Sequence, residues 1–216
     1  TPVVIGGAGG GRHSVAAFIV GKQEFAGYWE YVLDQAIFTY PAHPNWGGTA
    51  LIAPDGKLIG IGSLQIERER EGKNEHLNMV VPIDLLAPVL DDLRKFGRVD
   101  KPVRPWLGLY STEIEDKVVI VGIAPKGPAA RAELKTGDVI VSVKGDRVST
   151  LGGFYRKVWS LGQAGVEVPL TLYRGGAVAE LVGIKGGVVS GVFNLESSGV
   201  EAPDWRPRHD KQYHEA

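Results

Sequence analysis

Five histidines, 25 acidic side chains and no cysteine bound the chemistry this chain can do. Without cysteine there is no thiol nucleophile, no disulfide and no Cys-ligated zinc. The lack of cysteine does not identify a compartment. General acid–base work needs carboxylates or imidazoles held apart across a cleft. Asp91 and Asp92 are adjacent on a helical pattern and face solvent, while Glu113, Glu115 and Asp116 mark a turn. His209, Asp210 and His214 fall in a polar tail that offers no fixed geometry for a metal. The run Gly6-Gly7-Ala8-Gly9-Gly10-Gly11 follows a strand pattern, but no helix and no Gly-Lys-Ser/Thr follows it, so it is not a phosphate loop. Arg104 and Arg131 read as surface charge. No cofactor is expected and no metal site.

The elements that must position any site come from turn residues and periodicity. The chain has 216 residues, enough for one large or two small domains. Apolar residues make up 44%, enough for a core, and the net charge of −1 gives no basic excess for nucleic acid. No apolar run approaches the ~18 residues of a membrane helix. Thirty glycines and 13 prolines point to a turn-rich, mostly β protein. Short apolar runs at Pro2–Ala8, Ser14–Lys22, Tyr31–Thr39, Thr49–Ala53, Lys57–Glu67 and His76–Pro82 read as strands of a small barrel. Asp55-Gly56 is the strongest hairpin signal, and the mixed charges of Glu67–Glu75 read as a solvated hairpin loop.

Asp84 offers an N-cap, and Leu85, Leu86, Val89, Leu90 and Leu93 recur at helical spacing up to Gly97. A boundary is expected in the charged, proline-bearing stretch that follows. Beyond it, strands are expected at Trp106–Ile114, Val118–Ala124, Asp138–Val143, Val166–Tyr173 and Ala177–Ile184. A short helix is expected at Pro128–Glu133, and a longer one, capped by Ser149 or Thr150, runs to Leu161. Glu201–Ala216 reads as a loose tail.

Three stretches together resemble the HtrA family of trypsin-fold serine proteases carrying a PDZ domain. Asn45-Trp46-Gly47-Gly48-Thr49-Ala50-Leu51-Ile52 is similar to the family's G-N-S-G-G-x-L segment, with its hairpin following at Asp55–Ile61. Asn78–Ile83 resembles the last barrel strand leading into the connecting helix. Arg104–Leu109, Pro128-Ala129-Ala130 and Leu134–Ile140 resemble the PDZ carboxylate loop and the segment before its central strand. Each motif is weak alone, and their order and spacing make the combination specific.

The resemblance implies a six-stranded C-terminal trypsin-like β-barrel, a linker helix and an α/β PDZ domain. The expected division is 1–97 for the half-protease with its helix, 98–103 for the linker, 104–190 for the PDZ domain and 191–216 for the tail. It also implies that the triad His and Asp would come from a first barrel upstream of Thr1, since His13 and His43 do not match the triad histidine.

In that motif a serine attacks the scissile carbonyl and backbone N–H groups hold the oxyanion. Here the serine position carries Trp46, which has no nucleophile, and the first oxyanion glycine is Pro44, which has no N–H. Losing one oxyanion donor costs ~10²–10³ in rate. The two losses together imply a pseudoenzyme. The rival reading is an active endopeptidase whose nucleophile lies elsewhere, at Ser63 or Ser14. A third is a purely structural assembly module.

Peptide capture is what survives. By resemblance, the N–H groups of Leu107, Gly108 and Leu109 form an anion nest for a terminal carboxylate, and a peptide pairs along the strand from Leu109 through Tyr110 to Thr112. Leu151 and Tyr155, with Trp159, would line the groove from the helix, while Phe154 and Val158 face the core. The implied partners are protein or peptide C-termini with a hydrophobic last residue, and homo-oligomers are possible. The chain's own last residues could fill a neighbour's groove, although a loose tail is the better reading. The resemblance places the family outside the cytoplasm, in the periplasm or cell envelope.

Overall fold

The computed structural model describes residues 1–70 and 72–185. Six strands close into a barrel: β1 (Pro2–Gly6), β2 (Ser14–Gly27), β3 (Tyr31–Tyr40), β4 (Ala50–Ile52), β5 (Leu58–Arg70) and β6 (Lys73–Pro82), in the spatial order β1-β2-β3-β6-β5-β4. The period-2 alternation is plain in β1, where Val3 and Ile5 are buried and Val4 is exposed. Val3, Ile5, Ala17, Ile37, Leu51 and Val80 fill one part of the barrel, and Leu33, Ala36, Phe38 and Met79 fill another. Asp55-Gly56 does turn the chain between β4 and β5: Gly56 has φ +82°, and its N–H donates to the Ala53 carbonyl.

Two strands run further than their sequence pattern suggests. β5 and β6 pair out to Arg70↔Lys73, so most of the charged stretch is strand, with Arg68 paired to Glu75 at 2.7 Å. Arg68 and Glu75 are directly opposite cross-strand partners, and such opposite-charge pairs stabilise a ladder. β2 continues past Lys22 to Gly27 and pairs with β3 out to Gly27↔Tyr31. Only Tyr28, Trp29 and Glu30 form the tip of that hairpin.

The connecting segment departs from a single capped helix. Two 3₁₀ turns, Ile83–Leu85 and Ala87–Val89, precede α1 (Leu90–Phe96), and the Asp84 side chain makes no cap. Pro88 supplies the reason, because it cannot donate into a continuous ladder. Gly97 closes α1 at φ +66°. Leu85, Leu86, Leu90, Leu93 and Phe96 remain exposed on this segment, as do Val4, Phe18, Val20 and Ile61 on the barrel.

The second half is a mixed α/β unit. Its strands are β7 (Leu109–Ile114), β8 (Lys117–Ile123), β9 (Val139–Val143), β10 (Asp146–Arg147), β11 (Glu167–Arg174) and β12 (Ala177–Lys185), in the order β12-β11-β9-β8-β7 with β10 against β9. Two helices, α2 (Pro128–Arg131) and α3 (Leu151–Ser160), complete it. Thr150 caps α3, its hydroxyl accepting the Gly153 N–H at 3.1 Å. The core joins Leu107, Leu109, Val118, Ile120, Ile140 and Leu170 to Phe154, Tyr155 and Val158 of α3.

Asp138 ties this unit together. It is 1% exposed and accepts Arg174 Nε at 2.5 Å, Arg174 Nη2 at 2.6 Å and the Lys135 N–H at 2.8 Å. The Arg174 hydrogen bonds hold its carboxyl below the ordinary 3.8, against the opposing effect of burial. A carboxyl with a depressed pKa stabilises the fold above its unfolded pKa, and that contribution is lost as pH falls through the folded value. Asp138→Asn should therefore lower the urea midpoint at pH 7. The gap from the wild type should close as the pH falls below 3.8, which parallel urea titrations would show.

Candidate functional site: the β3–β4 loop and the N–H nest at β7

The loop between β3 and β4 is built around His43, which is 3% exposed. Its backbone N–H donates to Asn78 Oδ1 at 2.6 Å, and Asn78 Nδ2 donates back to its carbonyl at 3.3 Å. Its ring Nδ1 accepts the Asn45 N–H at 3.0 Å, which makes Nε2 the protonated nitrogen, donating to the His13 carbonyl at 2.9 Å. A Cβ on Gly7 would lie 2.8 Å from the ring, so glycine is required there. With both nitrogens held by backbone groups, His43 shapes the loop and is not free to act as a base.

Pro44 lies exposed next to it, and the Asn45 N–H is already bound to the His43 ring. Trp46 is half-buried, and its carbonyl accepts the Thr49 hydroxyl at 2.9 Å and the Thr49 N–H at 3.3 Å. Gly62 makes room for this turn, because a Cβ there would collide with the Thr49 hydroxyl and the Trp46 carbonyl. Ser14 is exposed and donates to the Gly10 carbonyl at 3.2 Å, and Ser63 lies partly buried on β5. Among the described residues, no histidine ring is hydrogen-bonded to a serine hydroxyl. Nor does any cluster of three or more His, Asp or Glu there form a metal site. His209, Asp210, His214 and the rest of the tail lie outside the described residues.

The second site lies at the start of β7. The N–H groups of Leu107, Gly108 and Leu109 point at one spot, and a carboxylate fills it: that of Glu30, from the tip of the β2–β3 hairpin. Leu107 donates to Oε1 at 3.0 Å and to Oε2 at 3.1 Å, Gly108 to Oε1 at 2.7 Å and Leu109 to Oε1 at 3.1 Å. Gly108 has φ +73°, and a Cβ on it would lie 3.3 Å from Ala124 and from the Trp106 ring. Burial pushes the Glu30 carboxyl above its ordinary 4.5, and the three N–H bonds pull against that rise.

The hairpin also meets the strand edge. Ser111 donates its N–H to the Tyr28 carbonyl at 2.9 Å, and the Tyr28 ring lies 5.7 Å from that of Tyr110. Ala26 and Val32 pack against the core of the second half. On α3, Arg156 pairs with Glu24 at 2.6 Å and also with Asp34. Glu24 reaches this position across Gly152, where any Cβ would overlap its carboxylate. Glu30 itself has φ +62°, a left-handed conformation that costs a residue with a Cβ roughly 1–2 kcal/mol. The three charge-assisted hydrogen bonds compensate for that strain.

Leu107 and Leu109 are each 1% exposed, so their side chains belong to the core while their N–H groups face the carboxylate. Leu151 is buried, and its N–H donates to Glu113 Oε2 at 2.9 Å. Tyr155 is 1% exposed, with its hydroxyl buried beside the Glu30 backbone. Burial raises its pKa, the Glu30 backbone pulls against that rise, and the Glu30 charge adds to it. Phe154 and Val158 sit in the same core, and Trp159 stacks on Tyr155 beneath the Arg104 guanidinium. Sequence reasoning missed Glu30, Tyr28, Glu24, Asp34 and Arg156. The only trace of them is the aromatic Tyr28-Trp29-Glu30-Tyr31 run, which has no helical or strand period of its own.

Gly108→Ala should cost about 1–2 kcal/mol through its left-handed φ. The loss should appear as a lower urea midpoint together with faster amide exchange at Leu107 and Leu109.

Residues 105–182 match the PDZ-domain family model. The serine endoprotease DegS of Haemophilus influenzae is 36% identical over 102 residues, which is 46% of this chain and 29% of that protein. The probable periplasmic serine endoprotease DegP-like of Halomonas elongata is 34% identical over 146 residues, which is 62% of this chain and 30% of that protein. The chain thus spans less than a third of the length of these relatives. A solved structure of the HtrA-type protease AlgW with decapeptide superposes at TM-score 0.51 and 22% identity, covering 87% of this chain and 60% of that one. Residues 105–182 are therefore a PDZ domain, set in an HtrA-type fold whose homologues include the DegS and DegP-like serine endoproteases.

Proposed function

We propose that the chain is a catalytically silent HtrA-type module that binds peptide C-termini through its PDZ domain. The observation that carries the binding half is the nest itself: three N–H groups converge on a carboxylate within 2.7–3.1 Å. A terminal carboxylate has the same charge and the same two acceptor oxygens as a glutamate side chain. The edge of β7, from Leu109 to Thr112, offers backbone groups for an extended peptide, with Tyr110 exposed beside them. Leu151 and Tyr155 line the helical side of the groove in this reading. A hydrophobic last side chain is the expected preference.

The silent half rests on the barrel loop. By the motif alignment, Trp46 holds the nucleophile's position and Pro44 an oxyanion donor's. His43, the buried imidazole closest to them in sequence, has both nitrogens bound to backbone groups. His43 therefore offers a nearby serine no free ring nitrogen, and Pro44 offers an oxyanion no N–H. An extracytoplasmic location is part of the proposal, supported by the periplasmic designation of the Halomonas elongata relative.

The whole chain should bind a hydrophobic-ended peptide as the free acid at least tenfold more tightly than as the amide, because the amide forfeits charge-assisted bonds of about 1.5–3 kcal/mol. Equal affinities in calorimetric titrations would remove the nest from the proposal. Unfolded casein incubated with the chain should stay uncut, and a Trp46→Ala variant should behave the same. Cleavage that disappears in Trp46→Ala would overturn the silent reading.

A further inference from the structure

We infer that the PDZ groove carries a ligand of its own, the tip of the β2–β3 hairpin, and that an incoming peptide carboxylate binds by displacing Glu30. This inference rests on the reading that the nest takes carboxylates, and it names the competitor at that site. The hairpin tip imitates an extended peptide at two places. Its side-chain carboxylate takes all three nest N–H groups, and the carbonyl two residues earlier, on Tyr28, takes the Ser111 N–H from the β7 edge. A second carboxylate has no donor left in the nest, and two like charges there would repel. Peptide and hairpin are mutually exclusive.

The hairpin is held in place by contacts outside the nest. Arg156 clamps Glu24 and Asp34 from the two strands, while Ala26 and Val32 cover part of the core. A tethered ligand acts at a high effective concentration, and the apparent affinity for a free competitor falls in proportion to the fraction of grooves left open.

The test uses the whole chain and a fluorescein-labelled octapeptide ending in Tyr-Val-Leu, as free acid and as amide. Amide hydrogen exchange at Leu107, Gly108 and Leu109 is followed in parallel. Glu30→Ala should bind the free acid about tenfold more tightly than the wild type and should lose the exchange protection of the Gly108 N–H. Arg156→Glu, which leaves the nest residues untouched, should move both readouts the same way by a smaller factor. If wild type and Glu30→Ala bind the acid equally, the hairpin is not a competitor, while carboxylate capture still stands. If neither binds the acid, carboxylate capture of peptides falls, and the exchange data decide self-occupancy alone. Gly108 protection unchanged in Glu30→Ala overturns it, and protection lost upholds it.

Discussion

Three N–H groups turned the same way at the start of β7 have to meet an acceptor. They lie against a packed apolar core, where each donor left without a partner costs about 1–3 kcal/mol. Gly108 makes the turn possible, and Leu107 and Leu109 on either side are locked into the core. The geometry of the nest is thus fixed by packing, whatever fills it. Water, a peptide end or a side-chain carboxylate can each satisfy it. In this fold the acceptor is Glu30, which the β2–β3 hairpin delivers to the nest alongside its Tyr28, Glu24, Asp34 and apolar contacts with the second half.

The barrel shows the complementary case, a loop whose shape is held by packing and backbone bonds. His43, Asn78, Gly7 and Gly62 hold the β3–β4 loop in a definite shape through backbone hydrogen bonds and close contacts. None of these interactions requires a nucleophile. A tryptophan and a proline can therefore occupy the loop without disturbing the strands around it.

Much of the architecture was legible because it rests on local signals. Short apolar runs between turn residues marked the barrel strands, Ser149 or Thr150 marked the start of α3, and the three motif stretches gave the order of the halves. The misses have a common physical cause. Pro88 divided a helical pattern that its apolar spacing alone would join. The charged stretch Glu67–Glu75 is mostly strand, and the Arg68–Glu75 pair becomes visible only once β5 and β6 are in register. Glu30 meets Leu107, Gly108 and Leu109 across more than seventy residues, and a lone glutamate in a turn has no pattern to announce such a contact.

Helix α3 begins with Leu151-Gly152-Gly153. Glycine lowers helix propensity by about 1 kcal/mol per residue relative to alanine. The Glu24 carboxylate lies directly over Gly152. The first turn is accordingly a poor helix in isolation, held by the Thr150 cap and by Glu113 accepting the Leu151 N–H. Its order comes from neighbours in β7 and the hairpin, not from its own sequence. In a partly unfolded chain this turn would fray before the Phe154–Val158 segment does.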